Sequence, residues 1–486
     1  MRFTPLAALL LLASPVHAAG PDAAAVDKLV ADAMQAWDAP GASLVVIRGD
    51  QVVHLKGYGK RQFDKPDPVG PDTLFPIASC TKAFTSTLLA MLADDGKLDW
   101  DDRVNKHLPG FKLADPDASE KVTLRDLLSH RTGVPGNDLL WYGTRYTVDE
   151  VLGKADKLPP TYPFRSGFEY NSIMYMAAGR AAERIAKQPW DALVKERLTG
   201  PLGMTGVRFT GKDLPADHAI GHAKTMTLAT MPMYEMPEPN PAGSIHASAR
   251  DLGAWLKFQL ANGTVGGRRL VSEKNLLETR TPQNTILLEG LARAMNPDTE
   301  KLQYGLGWVV LDHRGKRVCT HGGQIDGFRT QITLLPDEKL GFAILNNLHE
   351  TRMNQALTNS LIDAYCGLSA RDWNAFFRKI VEQVEKAKRD ALAARDAART
   401  GAKPSLPLAS YSGIYRHPVS GDAKVTEKDG KLSFAWGRFS APLAHFDGDA
   451  FRITEGHFGE KLVEFTAANG TAAALRLSGS VFERVP

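Results

Sequence analysis

Residues 42 to 59, ASLVVIRGDQVVHLKGYG, are mostly apolar up to Ile47, break at Gly49-Asp50 and resume as a mixed run. That pattern predicts two paired strands around a tight turn. From Thr81 the order changes: TKAFTSTLLAMLADDGKL carries apolar residues at helical spacing until Gly96 stops it. Helical and strand signals mix through about residue 370. Strand-forming runs return in YGLGWVVL (304 to 311) and TQITLLPDEKLGFAILNN (330 to 347). Strands at both ends with helices between predict one sheet whose first and last strands meet.

The pattern shifts after that. Trp373, Phe376, Phe377, Ile380, Val381 and Val384 make one helical stripe, which fades into the charged KAKRDALAARDAARTGAKP. Gly401 and Pro404 are the expected end of that helix. Residues 405–486 then alternate apolar and polar positions over short runs, broken by Asp429-Gly430, Asp447-Gly448 and Asn469-Gly470. Those dipeptides favour hairpin turns, so the tail is expected to be a small antiparallel barrel or sandwich. No internal repeat is visible.

Composition adds limits. The 486 residues, 43% hydrophobic and 23% charged, suffice for more than one domain. Arg2, the apolar run LAALLLLA (6 to 13) and Val16 and Ala18 ahead of Ala19 fit a removed export signal over residues 1–18. No later stretch reaches the roughly 18 uninterrupted apolar residues of a membrane span, and no cysteine lies near the leader for a lipid anchor. An exported protein, periplasmic or secreted, is expected. Net charge is +4 with no sustained basic run, which speaks against a nucleic-acid partner. Three cysteines are too few for a disulfide framework. Cys80 and Cys319 both neighbour the motifs below, and isolated buried thiols are expected there over a bridge.

The candidate chemistry starts at PIASCTKAF (76 to 84), where Ser79 stands three places before Lys82. Residues three apart share a helix face, so the amine is expected beside the hydroxyl, with Ser79 in the first turn. A partly desolvated amine has a lowered pKa and can take the hydroxyl proton, making serine a nucleophile toward an acyl carbon. Ser-x-x-Lys is weak alone, since about one is expected by chance in a chain of this length. Two further fragments strengthen it: FEYNSIMY (168 to 175) and THGGQIDGF (320 to 328).

With LLSHRTGVP (127 to 135), LTGPLGM (198 to 204) and PAGSIHASARDLGAW (241 to 255), these fragments resemble, in order from about residue 25 to 365, the serine β-lactamase and penicillin-binding-protein-like family, nearest its class C β-lactamase and esterase branch. The resemblance implies an α+β, β-lactamase-like fold over residues 19–370, with an antiparallel sheet flanked by helices plus an all-helical region. A charged helix and linker (371–404) follow. Residues 405–486 look like the lipocalin-like β-barrel domain that some of these hydrolases carry. The resemblance also implies an acyl-enzyme on Ser79, with Lys82 as base or proton shuttle and Tyr170, from a Tyr-x-Asn motif, as its rival for that role. His321, Gly322 and Gly323 match the strand lining the site, and the backbone N–H groups of Ser79 and Gln324 the oxyanion hole.

Two positions depart from the family pattern. Ser172 stands where the motif has asparagine, offering a shorter group without the amide's paired donor and acceptor. His321-Gly322 replaces Lys-Thr and removes a permanent cation, which argues against an efficient β-lactamase. An ordinary imidazole at His321, with a pKa of about 6.5, is expected to lose its attraction for anionic substrates between about pH 6 and 8. Tyr170 suits a core aromatic as well, and Trp141 and Tyr142 suit either an acyl pocket or packing. No Gly-x-Ser-x-Gly elbow, zinc-peptidase histidine pair, Walker loop or dinucleotide glycine pattern occurs, so no metal or organic cofactor is implied. An exported hydrolase of an ester or peptide/amide bond is expected, with a small molecule or peptide as partner; the non-catalytic alternative is a receptor for cell-wall fragments or β-lactams. Oligomeric state is left open.

Overall fold

The computed structural model describes residues 20–224 and 227–486; the expected export signal lies outside them. The first apolar run forms β1 (Gly41–Arg48), which turns at Gly49-Asp50 into β2 (Gln51–Gly59). These join β3 (Asn284–Thr285), β4 (Leu302–Tyr304), β5 (Val309–His313), β6 (Lys316–Ile325), β7 (Phe328–Leu335) and β8 (Leu340–Asn346). The result is one antiparallel sheet of order β2-β1-β8-β7-β6-β5-β4-β3. As the pattern predicts, its early and late strands meet, with Ala42 opposite Asn346 and Arg48 opposite Leu340.

The longer helices are α1 (Ala23–Trp37), α2 (Thr81–Asp94), α3 (Ser172–Ala186), α4 (Ala249–Leu260), α5 (Met353–Tyr365) and α6 (Trp373–Ala397). Strand side chains alternate between faces, and both faces of β1 are covered, which is why it reads as an apolar run. Leu44 and Val46 pack into an outer core with Val26 and Val30 of α1 and Leu357 and Leu361 of α5. Val45 and Ile47 join the inner core, with Phe84 and Leu88 of α2 and Leu252 and Trp255 of α4. At the centre of the helical region, α2 is buried at every residue from Thr81 to Leu92, as a helix enclosed on all sides must be. Phe84 stacks on Trp255 at 3.8 Å between ring centroids, and Thr85 Oγ1 donates to Pro241 O at 2.7 Å.

Helix α6 buries Trp373 and Phe377 and ends at Ala397, ahead of the expected stop at Gly401 and Pro404. The Asp447 carboxylate captures the next backbone N–H groups, accepting from Thr400 at 2.8 Å and Ala402 at 2.9 Å. The tail is a closed barrel of β9 (Gly413–His417), β10 (Gly421–Lys428), β11 (Lys431–Trp436), β12 (Phe439–Asp447), β13 (Ala450–Ile453), β14 (Leu462–Ala468), β15 (Thr471–Leu477) and β16 (Ser480–Arg484). Every neighbour pair is antiparallel, and β9 closes on β16 through Tyr415 and Arg484. Asp429-Gly430 and Asn469-Gly470 take positive φ at both positions, the backbone that two-residue hairpins need. Tyr411, Tyr415, Phe434, Phe451, Phe465 and Phe482 fill the interior.

Candidate active site

Ser79 sits in a 3₁₀ turn, Ala78–Cys80, immediately ahead of α2, so it precedes the first α-helical turn that the spacing predicts for it. Ala78 holds φ at 45°, a left-handed conformation that costs a non-glycine residue of order 1–3 kcal/mol. Ser79 is half-buried, whereas Lys82, one turn on, is completely buried. Lys82 Nζ donates to Ser79 Oγ at 3.2 Å, Ser172 Oγ at 3.4 Å and Ala242 O at 2.9 Å. All three acceptors are uncharged. Burial pushes the Lys82 pKa down to about 7, against the opposing pull of Asp138, so the amine is neutral in a large fraction of molecules at neutral pH.

Tyr170 and Ser172 close the other side. The Lys82 ammonium position lies 4.9 Å from the Tyr170 ring centroid and 5.4 Å from that of Tyr175. Burial pushes the Tyr170 phenol far above its ordinary pKa, while a hydrogen bond with Ser79 pulls the other way. A phenol in that state stays protonated at neutral pH and can donate a hydrogen bond. Between them, Asn171 turns away: its Oδ1 accepts from the Ile173 and Met174 N–H groups to cap α3, and its Nδ2 donates to Val134 O and Pro135 O. The hydroxyl of Ser172 therefore takes the place beside Lys82.

Strand β6 brings His321, Gly322, Gly323 and Gln324 to the same cleft. A Cβ on Gly323 would lie 2.0 Å from Ile77 O and 3.3 Å from Ala78 Cβ, so the bare backbone of β6 runs directly against the turn that carries Ser79. Gln324, next along, is exposed and its side-chain carbonyl accepts from Arg329.

His321 corrects an expectation. Its Nδ1 donates to Gly322 O at 2.8 Å and its Nε2 shares a 2.9 Å hydrogen bond with the Tyr304 hydroxyl. Burial, reinforced by Lys82, lowers its pKa to about 3. The imidazole therefore carries no charge to lose between pH 6 and 8. His321→Gln should change the rate but leave the pH midpoint of kcat/KM in place. A shift above about half a pH unit in that profile would show that the ring is charged after all.

The cysteines stay apart. Cys80 and Cys319 are free and buried, and Cys80 Sγ donates to His321 O at 3.2 Å. Sequence reasoning missed several neighbours. Tyr304 shows in the sequence only as part of a strand run, and Asp138, whose Oδ1 accepts from Trp141 Nε1 at 2.8 Å, carries no motif signal. His130 is fully buried among Tyr170, Tyr175, Tyr304 and Phe168, with Nδ1 accepting from the Asn171 N–H at 3.1 Å. No group of His, Cys, Asp and Glu side chains among the described residues is arranged to hold a metal ion.

Beside the Ser79 turn, Ala78, Met236 and Ile325 form an apolar cluster against which Trp141, Tyr142 and Tyr234 pack. The barrel reaches this wall through the turn between β11 and β12 and the loop between β13 and β14. The Arg438 N–H donates to Gly143 O at 3.0 Å, and Phe439 and His457 lie 5.9 and 5.6 Å from the Tyr142 ring.

Comparison with known proteins identifies the family of the fold. The sequence pattern of the family described as Beta-lactamase matches residues 26–365, and that of a domain of unknown function (DUF3471) matches 397–484. Unguisins hydrolase ungD of Aspergillus violaceofuscus is 29% identical over 478 residues, covering 90% of this chain and 84% of that protein. The octameric penicillin-binding protein homologue of Pyrococcus abyssi superposes with a TM-score of 0.62 at 20% identity, over 94% of this chain and 99% of the other. The D-amino acid amidase of Ochrobactrum anthropi, solved with L-phenylalanine amide, gives 0.59 at 20% identity, over 71% and 97%. With its fold, its Ser79–Lys82 cleft and a family match over more than half its length, the chain belongs to the beta-lactamase family of serine hydrolases and penicillin-binding-protein-like proteins.

Proposed function

We propose that this protein is an exported serine hydrolase that cleaves an ester or a peptide/amide bond through an acyl-enzyme on Ser79. The observation that carries this reading is the fully buried Lys82 amine, 3.2 Å from Ser79 Oγ and bonded only to neutral acceptors. Neutral Lys82 takes the hydroxyl proton as Ser79 Oγ attacks the acyl carbon. The oxyanion of the tetrahedral intermediate accepts from the backbone N–H groups of Ser79 and Gln324. Tyr170, held protonated beside Ser79, relays a proton: it gives its own to the leaving group as it takes up the one Lys82 received, and water then attacks the acyl-enzyme from the open side of the cleft. Lys82 is favoured over Tyr170 as base because burial leaves the amine free to accept a proton at neutral pH, whereas it keeps the phenol from resting as the phenolate a base would have to be.

The substrate reading is narrower than a β-lactam. The neutral His321 in place of a lysine removes the fixed cation that would hold a penicillin carboxylate, so β-lactamase activity is expected to be weak. Two similar proteins, an unguisins hydrolase and a D-amino acid amidase, support amides, including those with a D-residue, beside short acyl esters. The test is a screen of the mature protein, residues 19–486, against acyl esters, D-amino-acid amides, D,D-dipeptides and a chromogenic cephalosporin, with Ser79→Ala as blank. A fluorophosphonate probe should label Ser79, and at least one ester should turn over continuously. Labelling at another residue would refute the nucleophile, and a stoichiometric burst without turnover on every donor would make the protein a receptor.

A further inference from the structure

Arg438 belongs to the barrel, but its guanidinium lies against residues of the hydrolase domain. It sits 4.8 Å from the ring centroid of Tyr142 and 4.3 Å from that of Tyr234, and 3.7 Å from Asp326 Oδ2. Asp326 is buried in the turn between β6 and β7, two residues beyond Gln324. Its carboxylate also accepts from the Tyr142 hydroxyl and, at 2.5 Å, from the Tyr234 N–H. The Tyr234 hydroxyl is tied in turn to Thr144 O at 2.7 Å and Trp141 O at 3.2 Å. Arg438 Nη1 is out of water, and the cation is held by the faces of Tyr142 and Tyr234, by the more distant Phe439 ring at 5.5 Å and by attraction to Asp326.

The approach that places Arg438 is built into the backbone. Gly437 has φ at 55°, and a Cβ there would lie 1.8 Å from Gly143 O. Only glycine lets the barrel turn come this close to the 141–144 segment. The same segment carries Trp141 and Tyr142, which pack on the cluster of Ala78, Met236 and Ile325 beside the nucleophile turn.

We infer that Arg438 is a specificity-determining positioning residue of the hydrolase site: it clamps Tyr142 and Tyr234 to Asp326 and so fixes an apolar wall that takes a bulky aromatic or aliphatic group of the substrate. This rests on the hydrolase reading above and adds the class of group the site selects. A small acyl group reaches Ser79 without touching the wall. A large one needs both rings in place, and a displacement of about 1 Å in a positioning group is worth on the order of 100-fold in rate.

The test compares p-nitrophenyl acetate with p-nitrophenyl phenylacetate in the full-length native protein and in the Arg438→Ala, Arg438→Met and Arg438→Lys variants. Arg438→Ala should lower the phenylacetate-to-acetate ratio of kcat/KM by about tenfold or more, mostly through KM. Arg438→Met, which keeps apolar length, guards against a misfolded alanine variant and should move the ratio the same way. Arg438→Lys should restore it only in part, because an ammonium cannot lie flat against two rings. Fluorophosphonate labelling of Ser79 in each variant separates the two readings. Labelling with a ratio that stays within about twofold, or with equal loss on both donors, overturns the role of Arg438 alone. A native protein that does not label at Ser79 overturns both.

Discussion

Replacing Lys82 by arginine should lower kcat/KM for a short acyl ester by about 10³-fold, although the formal charge is kept. On the proposed mechanism Lys82 serves by being able to lose its proton: burial brings its pKa to about 7, and its partners are two hydroxyls and a carbonyl. A guanidinium does not deprotonate at any working pH. In the native protein kcat/KM should therefore rise with pH to a half-maximum near 7, and Lys82→Met should be nearly inactive with no such rise. Stability gives an independent check. The unfolded lysine, with its ordinary pKa of 10.5, binds more protons than the folded one between about pH 7 and 10.5, so stability should rise with pH across that window. Denaturant titrations at pH 7 and 9 should show the rise in the native protein and lose it in Lys82→Met. Near-native turnover by Lys82→Arg would exclude the lysine as base.

Gly323→Ala should cost about 100-fold in kcat/KM and lower Tm. The new methyl would be centred 2.0 Å from Ile77 O and 3.3 Å from Ala78 Cβ, and the atom it strikes first is backbone, which cannot swing aside. Either β6 or the Ser79 turn must move, shifting the nucleophile against the Gln324 N–H, and overpacking of this kind costs about 1–3 kcal/mol in stability. Gly322→Ala is the matched control, because its Cβ would meet the Gln331 amide oxygen at 3.1 Å, the far end of a flexible side chain. Its loss should stay below about tenfold. Kinetics and thermal melts on the two variants decide the matter; equal losses would mean that the close approach at Gly323 does not set the geometry.

The legible parts of this molecule are those written in local pattern. The β1–β2 turn, the helix α2 and the hairpins of the barrel follow from residues within a few positions of one another. The Ser79–Lys82 pair is legible for the same reason, since helical spacing alone brings the two together. What escapes depends on distant partners. An ordinary pKa is the expectation for His321 because nothing in THGGQIDGF shows that Tyr304, on another strand, bonds to its Nε2 and that the ring is sealed from water. Asn171 and Ser172 can be ranked by motif, but which of the two faces Lys82 is decided by the α3 cap. Arg438 is least legible: it is about 300 positions from Tyr142, on a hairpin whose sequence reports only a turn.

The aromatic filling of the barrel limits what the second domain can be. Rings of Tyr411, Tyr415, Phe451 and Phe465 stand 5.0 to 5.8 Å apart across its interior, which is the spacing of a packed core. Carrier proteins of similar outline keep that volume vacant for cargo; here it is spent on side chains. An environment-sensitive fatty-acid dye should find no berth inside, so whatever this domain does must pass through its outer surface.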